Sequence, residues 1–203
     1  MKNLYFISII FVFTLIFACQ KFEVKISEPS AEETQKIKAI GDTLSSKLLT
    51  ALKRELSASI QENGVVNAIQ VCNLKALPIT DKIAKSEDFT VDIKRTTNKF
   101  RNPSNKPNDI EKVALEKYNK LVKNEQPLPE FHIQKITDGN IHYFNYYKPI
   151  KTSRLCLLCH GDQETMDESL KDITNRLYPN DLASGYKEGD FRALLRIKIM
   201  DSN

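Results

Sequence analysis

Cys156-Leu157-Leu158-Cys159-His160 gathers two thiols and an imidazole within five residues. Thiols three residues apart on a short turn reach the two vinyl groups on one edge of a porphyrin, and each can add across a vinyl to form a thioether. The imidazole that follows then lies under the iron and supplies a nitrogen as proximal ligand. This C-x-x-C-H order is the attachment pattern of c-type haem, so Cys156 and Cys159 are read as the anchors of one covalent haem c and His160 as its iron ligand. The polar flanks, Lys151-Thr152-Ser153-Arg154 and Gly161-Asp162, can bend around a porphyrin edge. Two other chemistries would use the same residues. A structural zinc site wants four ligands, and the remaining candidates, Cys72, His132 and His142, include no second close pair. A Cys156–Cys159 disulfide would be a redox motif or a staple, but no thioredoxin-like βαβ order surrounds it.

The compartment suits a covalently held cofactor. From Leu4 to Ala18 only Ser8 and Thr14 are polar, Lys2 supplies a positive start, and the run closes on Ile16-Phe17-Ala18-Cys19. An apolar run this short reads as a secretory leader, not a membrane span. A small residue before Cys at its end resembles a bacterial lipobox. The expected order is a signal peptide over 1–18, a lipidated Cys19 opening a polar tether over 19–33, and one domain over 34–203. The domain then sits on the periplasmic side of a bacterial membrane, and Gln20 after Cys19 favours the outer membrane. With Cys19 set apart, Cys72, Cys156 and Cys159 remain. An odd count in an exported chain needs an explanation.

Composition removes several functions. Hydrophobic residues at 41% and charged residues at 28% suit a soluble globular body. A net charge of +4 without a run of five Lys or Arg gives no case for a nucleic-acid partner. The six glycines spell no phosphate-binding loop.

Periodicity supplies the elements that must position the motif. Ile37, Ile40, Leu44, Leu48, Leu52, Leu56 and Ile60 recur at helical spacing over Glu32–Asn63, a helix of about 45 Å that Gly64 would stop. Such length suggests that part of it projects or pairs with a second copy, giving a homodimer. A shorter helix carries Val65, Ala68, Ile69, Cys72 and Ala76 on one face, and Pro78 would end or kink it. Alternation over Thr90–Thr97 predicts a strand with Val91, Ile93 and Arg95 on its apolar side. Asn108 and Glu111 read as a capping box for a helix through Ile110, Val113, Tyr118 and Leu121. Phe131–Ile136 and Ile141–Tyr147 form a hairpin around Asp138-Gly139. Met166–Leu177 is helical, and Leu194–Met200 is a closing strand with Leu195, Ile197 and Ile199 on one face. Helices first, then strands in a meander, with no βαβ repeat, make the class α+β with an antiparallel sheet. Cys72, His132, His142, Met166 and Met200 stay open as distal ligands, and spacing does not choose among them.

Four stretches in order carry a resemblance: Ala68-Ile69-Gln70-Val71-Cys72-Asn73; Lys94 to Asn105 with its Arg101-Asn102-Pro103-x-Asn105 segment; Tyr147-Lys148-Pro149-Ile150; and Cys156 to Gly161. The segment Asp181 to Asp190 fits as well. Over about residues 35–200 the chain resembles a bacterial family of single-haem c-type proteins with a PAS-like fold, long described as a domain of unknown function. Its members occur as exported lipoproteins and as sensor parts of signalling proteins. The resemblance implies a PAS-like sheet with a long N-terminal helix and flanking helices, and a haem held between His160 and the thiolate of Cys72. An electron-rich thiolate favours ferric iron and lowers the potential, and it accounts for the third Cys. Arg95 and Arg101 are candidates for the haem propionates, since guanidinium grips carboxylate through a fork of two hydrogen bonds. The expectation is a membrane-tethered protein of electron transfer, with a redox partner protein, or of redox or gas sensing. An iron with both axial positions filled argues against an enzyme. The alternative, a peroxidase-like enzyme with an open distal site, would need His132 or His142 as its acid–base group.

Overall fold

The computed structural model describes residues 23–201, with residues 71–73 described by their backbone alone. The expected leader and Cys19 lie outside the described residues. Five strands, β1 (Lys25–Ser27), β2 (Val91–Thr96), β3 (His132–Asp138), β4 (Ile141–Lys151) and β5 (Phe191–Met200), form one antiparallel sheet in the order β1-β3-β4-β5-β2. Among the described residues four α-helices accompany it, α1 (Ala31–Ala84), α2 (Asp109–Lys123), α3 (Arg154–His160) and α4 (Glu168–Leu177), with a 3-10 turn at Pro103–Asn105. The class is α+β, as the order of the sequence patterns predicts. Among the described residues no helix is long and apolar enough to cross a membrane.

α1 opens on a capping box, in which Ser30 and Glu33 satisfy each other's backbone amides. Gly64 breaks it where expected, at φ 74° and ψ 169°, a conformation that costs little only without a Cβ. The chain then turns back, so that Lys47 pairs with Glu87 at 3.0 Å and Glu55 with Lys75 at 2.5 Å. The long helix therefore packs against its own return half. Pro78 does not end that half, which runs on to Ala84. Ile79, Ile83 and Ala84 pack on the sheet core beyond it, and that burial outweighs the one helical hydrogen bond that proline removes.

Ile37, Leu44 and Leu48 of α1 cover one face of the sheet, meeting Ile93, Ile133, Phe144, Tyr146, Leu195, Ile197 and Ile199. Gly41 lets the helix backbone settle directly on the Tyr146 ring, where a Cβ would collide, and the Tyr146 hydroxyl donates to Asp42 at 2.5 Å. The Leu195, Ile197 and Ile199 stripe is the one read from the sequence. On the opposite face Ala114, Leu115 and Tyr118 of α2 pack on Tyr147 and Leu194. The expected α2 stripe is corrected here, because Val113 is 48% exposed while Glu111 is buried at 1%. The Asn108–Glu111 box is present, but Glu111 also accepts from Lys94 (2.8 Å), Thr96 (3.0 Å) and Arg196 (3.1 Å). That cluster turns a carboxylate inward where the apolar pattern alone would leave it outside.

A second correction concerns the tether. Lys25–Ser27, within the segment read as polar linker, pairs with Lys135–Thr137 as an edge strand. Three residues are too few for alternation to register, and the pairing partner supplies the signal. The hairpin is tight, with Asp138 paired to Ile141 around Gly139-Asn140 and Gly139 at φ 59°.

Replacing Glu111 with Ala would take from Arg196, which is 6% exposed, one of its two carboxylate partners, with Asp92 remaining at 2.7 Å. Loss of charge-assisted hydrogen bonds with one partner kept costs about 1.5–3 kcal/mol. Urea unfolding of Glu111→Ala is expected to show a fall of that order with an unchanged denaturant slope.

Candidate functional site

The C-x-x-C-H segment, expected on a short turn, is a two-turn helix, α3. At 100° per residue Cys156, Cys159 and His160 share one face. Cys159 packs against a cluster of Ile69, Leu170, Ile173 and Tyr178 from α1, α4 and the turn after α4. Cys156 Sγ lies 3.3 Å from the Ser153 hydroxyl. The other face, Leu157, Leu158 and Gly161, lines a cleft of about 590 Å³ together with Val65, Val66, Met166 and Leu170.

His160 Nδ1 lies 2.6 Å from the carbonyl oxygen of Ala183. A carbonyl only accepts, so Nδ1 carries the hydrogen and Nε2 keeps its lone pair. Burial, with the guanidinium charges of Arg101, Arg192 and Arg95, holds His160 well below the ordinary imidazole range. The ring is therefore neutral at physiological pH, with one nitrogen committed to the protein and the other available to a metal.

The loop 181–190 makes that commitment possible. Gly185 N–H donates to the Gly161 carbonyl at 2.7 Å and Tyr186 N–H to the His160 carbonyl at 3.0 Å. Thr152 N–H donates to Asp190 at 2.9 Å and Gly189 N–H to Thr152 at 2.9 Å, while the Thr152 hydroxyl donates to the Lys187 carbonyl. Gly185 sits at φ +72°, which favours glycine. Arg101 joins the latch from β2's side. It donates to Asp181 from Nε (3.1 Å) and Nη2 (2.9 Å), and Nη2 also reaches the Cys159 carbonyl at 2.6 Å. Asp181 in turn accepts from Ala183 N–H at 2.8 Å.

The structure separates the other sequence candidates. Arg95 is half-buried on β2 opposite Leu195, near enough for its charge to act on His160. Cys72 lies on the α1 backbone three residues beyond Ile69, and its side chain is outside the described residues. Met166 packs in the Cys159 cluster. His142 and Met200 stand at the other end of the sheet, beside the β3–β4 turn, while α3 follows the far end of β4. Lys151 lies nine positions along the strand from His142, about 30 Å. His132 belongs to the α2 face, its Nδ1 3.1 Å from Lys117 Nζ and its ring stacked on Tyr147. Among the described residues no group of three or more His, Cys, Asp or Glu is placed to hold a metal ion. Asp181, the Ala183 carbonyl, Tyr186 and Arg192 are site residues that pattern reading missed. A backbone acceptor has no signal in sequence, and only the resemblance over Asp181 to Asp190 pointed to this loop.

Fold and site together define an α+β domain whose C-x-x-C-H helix is latched by a carbonyl-presenting loop. Residues 20–200 match the Tll0287-like family, and the chain belongs to that family. Among solved structures it is similar to the cyanobacterial heme-protein Tll0287, at a TM-score of 0.57 and 20% identity, over 85% of this chain and 98% of that one. At that identity the likeness is one of fold. No curated protein matches the chain.

Two outcomes test this geometry. A Cβ on Gly161 would lie 2.6 Å from the Leu157 carbonyl oxygen, so Gly161→Ala is expected to lose about 1–3 kcal/mol in urea unfolding as α3's last turn is pushed off the loop. His132 supplies a pH dependence. Burial, reinforced by the Lys117 ammonium, lowers it to about 4 from 6.5. The folded state then binds fewer protons than the unfolded chain between those values, so stability is fully present above about pH 6.5 and falls as pH drops towards 4. His132→Gln is expected to flatten the urea midpoint across that window.

Proposed function

We propose that this chain is an exported mono-haem c-type protein that works in electron transfer or in redox or gas sensing. Cys156 and Cys159 would hold the haem through two thioethers, and His160 would present Nε2 to the iron as proximal ligand. The observation that carries the reading is the hydrogen bond of His160 Nδ1 to Ala183, on a helix face shared with both thiols. That is the donor arrangement a haem c site needs, because an iron-ligating imidazole commonly commits its other nitrogen to a backbone acceptor. Membership of the Tll0287-like family and the likeness of fold to a heme-protein support it.

Cys72 is assigned as the second axial ligand. The support is its place in α1, one turn beyond Ile69, which packs in the same cluster as Cys159. Arg101 is engaged with Asp181 and Cys159; Arg95, half-buried on β2 with its charge acting on His160, is assigned to a propionate. Haem in such a site supplies one-electron chemistry at iron. The chain supplies the ligands, a neutral proximal imidazole and a cationic surround. With His160 and Cys72 both on the iron no open position would remain, and we assign no catalytic residue. Lipid attachment at Cys19 would hold the protein at the periplasmic side of the membrane, the outer one by the residue that follows, and the partner would be a redox protein.

The test is the absorption spectrum of the protein made with a c-haem maturation system. The ferric form is expected to show thiolate-type bands that disappear in Cys72→Ala, while the haem stays attached. Rapid binding of CO to the reduced wild type would direct the reading to sensing, and refusal of CO would direct it to electron transfer. A ferric spectrum indifferent to Cys72→Ala would remove the assigned axial pair.

A further inference from the structure

We infer that Asp181, with Arg101, is the positioning pair for His160, fixing which imidazole nitrogen faces outward and balancing the cationic charge beside the ring. The inference rests on the haem reading only for its second measurement.

The two residues brace both ends of the proximal hydrogen bond. Asp181 accepts from Ala183 N–H at 2.8 Å, which folds the loop so that the Ala183 carbonyl points at His160 Nδ1. Arg101 spans from Asp181 to the carbonyl of Cys159, the residue before His160. Ring and acceptor are thus tied through one ion pair. That pair is buried, its side chains 11% and 5% exposed, and the guanidinium lies 6.0 Å from the Tyr178 ring centroid. A pair so enclosed keeps its geometry and is weakly screened by salt. It also serves as a charge balance. Arg95, Arg101 and Arg192 all act on His160, and Asp181 is the carboxylate in direct contact with one of them.

Position and charge can be tested separately. Asn at 181 keeps an oxygen that accepts from Ala183 N–H but loses the charge; Ala loses both. Gln at 101 removes the cation. In the full-length chain, solvent exchange of the His160 Nδ1 proton, followed by 15N NMR, reads the brace whether or not haem is bound. Asp181→Ala is expected to speed that exchange about fivefold, the loss of roughly one hydrogen bond's worth of order, and Asp181→Asn to restore most of the protection. In the haem-loaded chain the charges act on iron. Asp181→Asn is expected to raise the reduction potential, because an unbalanced guanidinium favours the less positive ferrous state, and Arg101→Gln to lower it. A role confined to packing would move both variants in one direction by loosening the same contact. Unchanged exchange in Asp181→Ala, or potential shifts of one sign in the two charge variants, would overturn the inference. Should Asp181→Ala fail to fold, the Asn and Gln pair decides alone. A chain that takes up no haem yet shows the exchange pattern would sink the haem reading and leave the brace standing.

Discussion

The hydrogen bond from His160 Nδ1 to the Ala183 carbonyl sets the terms for the rest of the site. An imidazole can bind a metal only if it is neutral and turned the right way; the carbonyl sets the second condition, by holding the hydrogen on Nδ1 and by fixing the ring plane. The carbonyl must itself be held, which explains why so many bonds converge on the loop from 181 to 190. Gly185 and Tyr186 tie it to the end of α3, Thr152 ties it to the end of β4, and Asp181 ties it to Arg101. Burial of the ring and three nearby guanidinium groups penalise protonation, so the neutral form is the resting form.

The sheet and helices deliver these pieces to one place. β4 and β5 bring Lys151 and Phe191 side by side, so that the segments entering α3 and leaving the loop start from neighbouring strand ends. α1, broken at Gly64 and folded back on itself, carries Val65 and Ile69 to α3 and α4. The opposite face is closed by α2, whose register depends on Glu111 meeting Lys94, Thr96 and Arg196 inside the protein. A buried ion cluster of this kind adds little net stability but is costly to break, and it selects one seating of the helix.

Legibility in the sequence followed physical range. Local chemistry was readable: the capping box at Asn108, the stop at Gly64, the alternation of β2 and β5 and the C-x-x-C-H spacing all depend on residues close in the chain. What depended on tertiary partners was not. Pro78 is carried inside a helix by packing farther along it. Three residues of β1 become a strand only because β3 lies beside them. Val113 faces out because a carboxylate two residues earlier has buried partners on other elements. Within the site the thiols and the imidazole announced themselves, whereas the acceptor of Ala183 is a peptide carbonyl that any residue would offer. In the sequence Arg101 is a charge suited to a carboxylate ligand, whereas its partners Asp181 and Cys159 lie 80 and 58 residues away.

Cys156, Cys159 and His160 would together form a covalent haem site. Intact mass of the full chain, produced with a c-haem maturation system and stripped under denaturing conditions, tests it most directly. The expected result is a gain of one haem that survives denaturation and vanishes when Cys156 and Cys159 are both changed to Ser. A wild-type chain that carries no haem after denaturation, or one whose haem persists in the double variant, would contradict it.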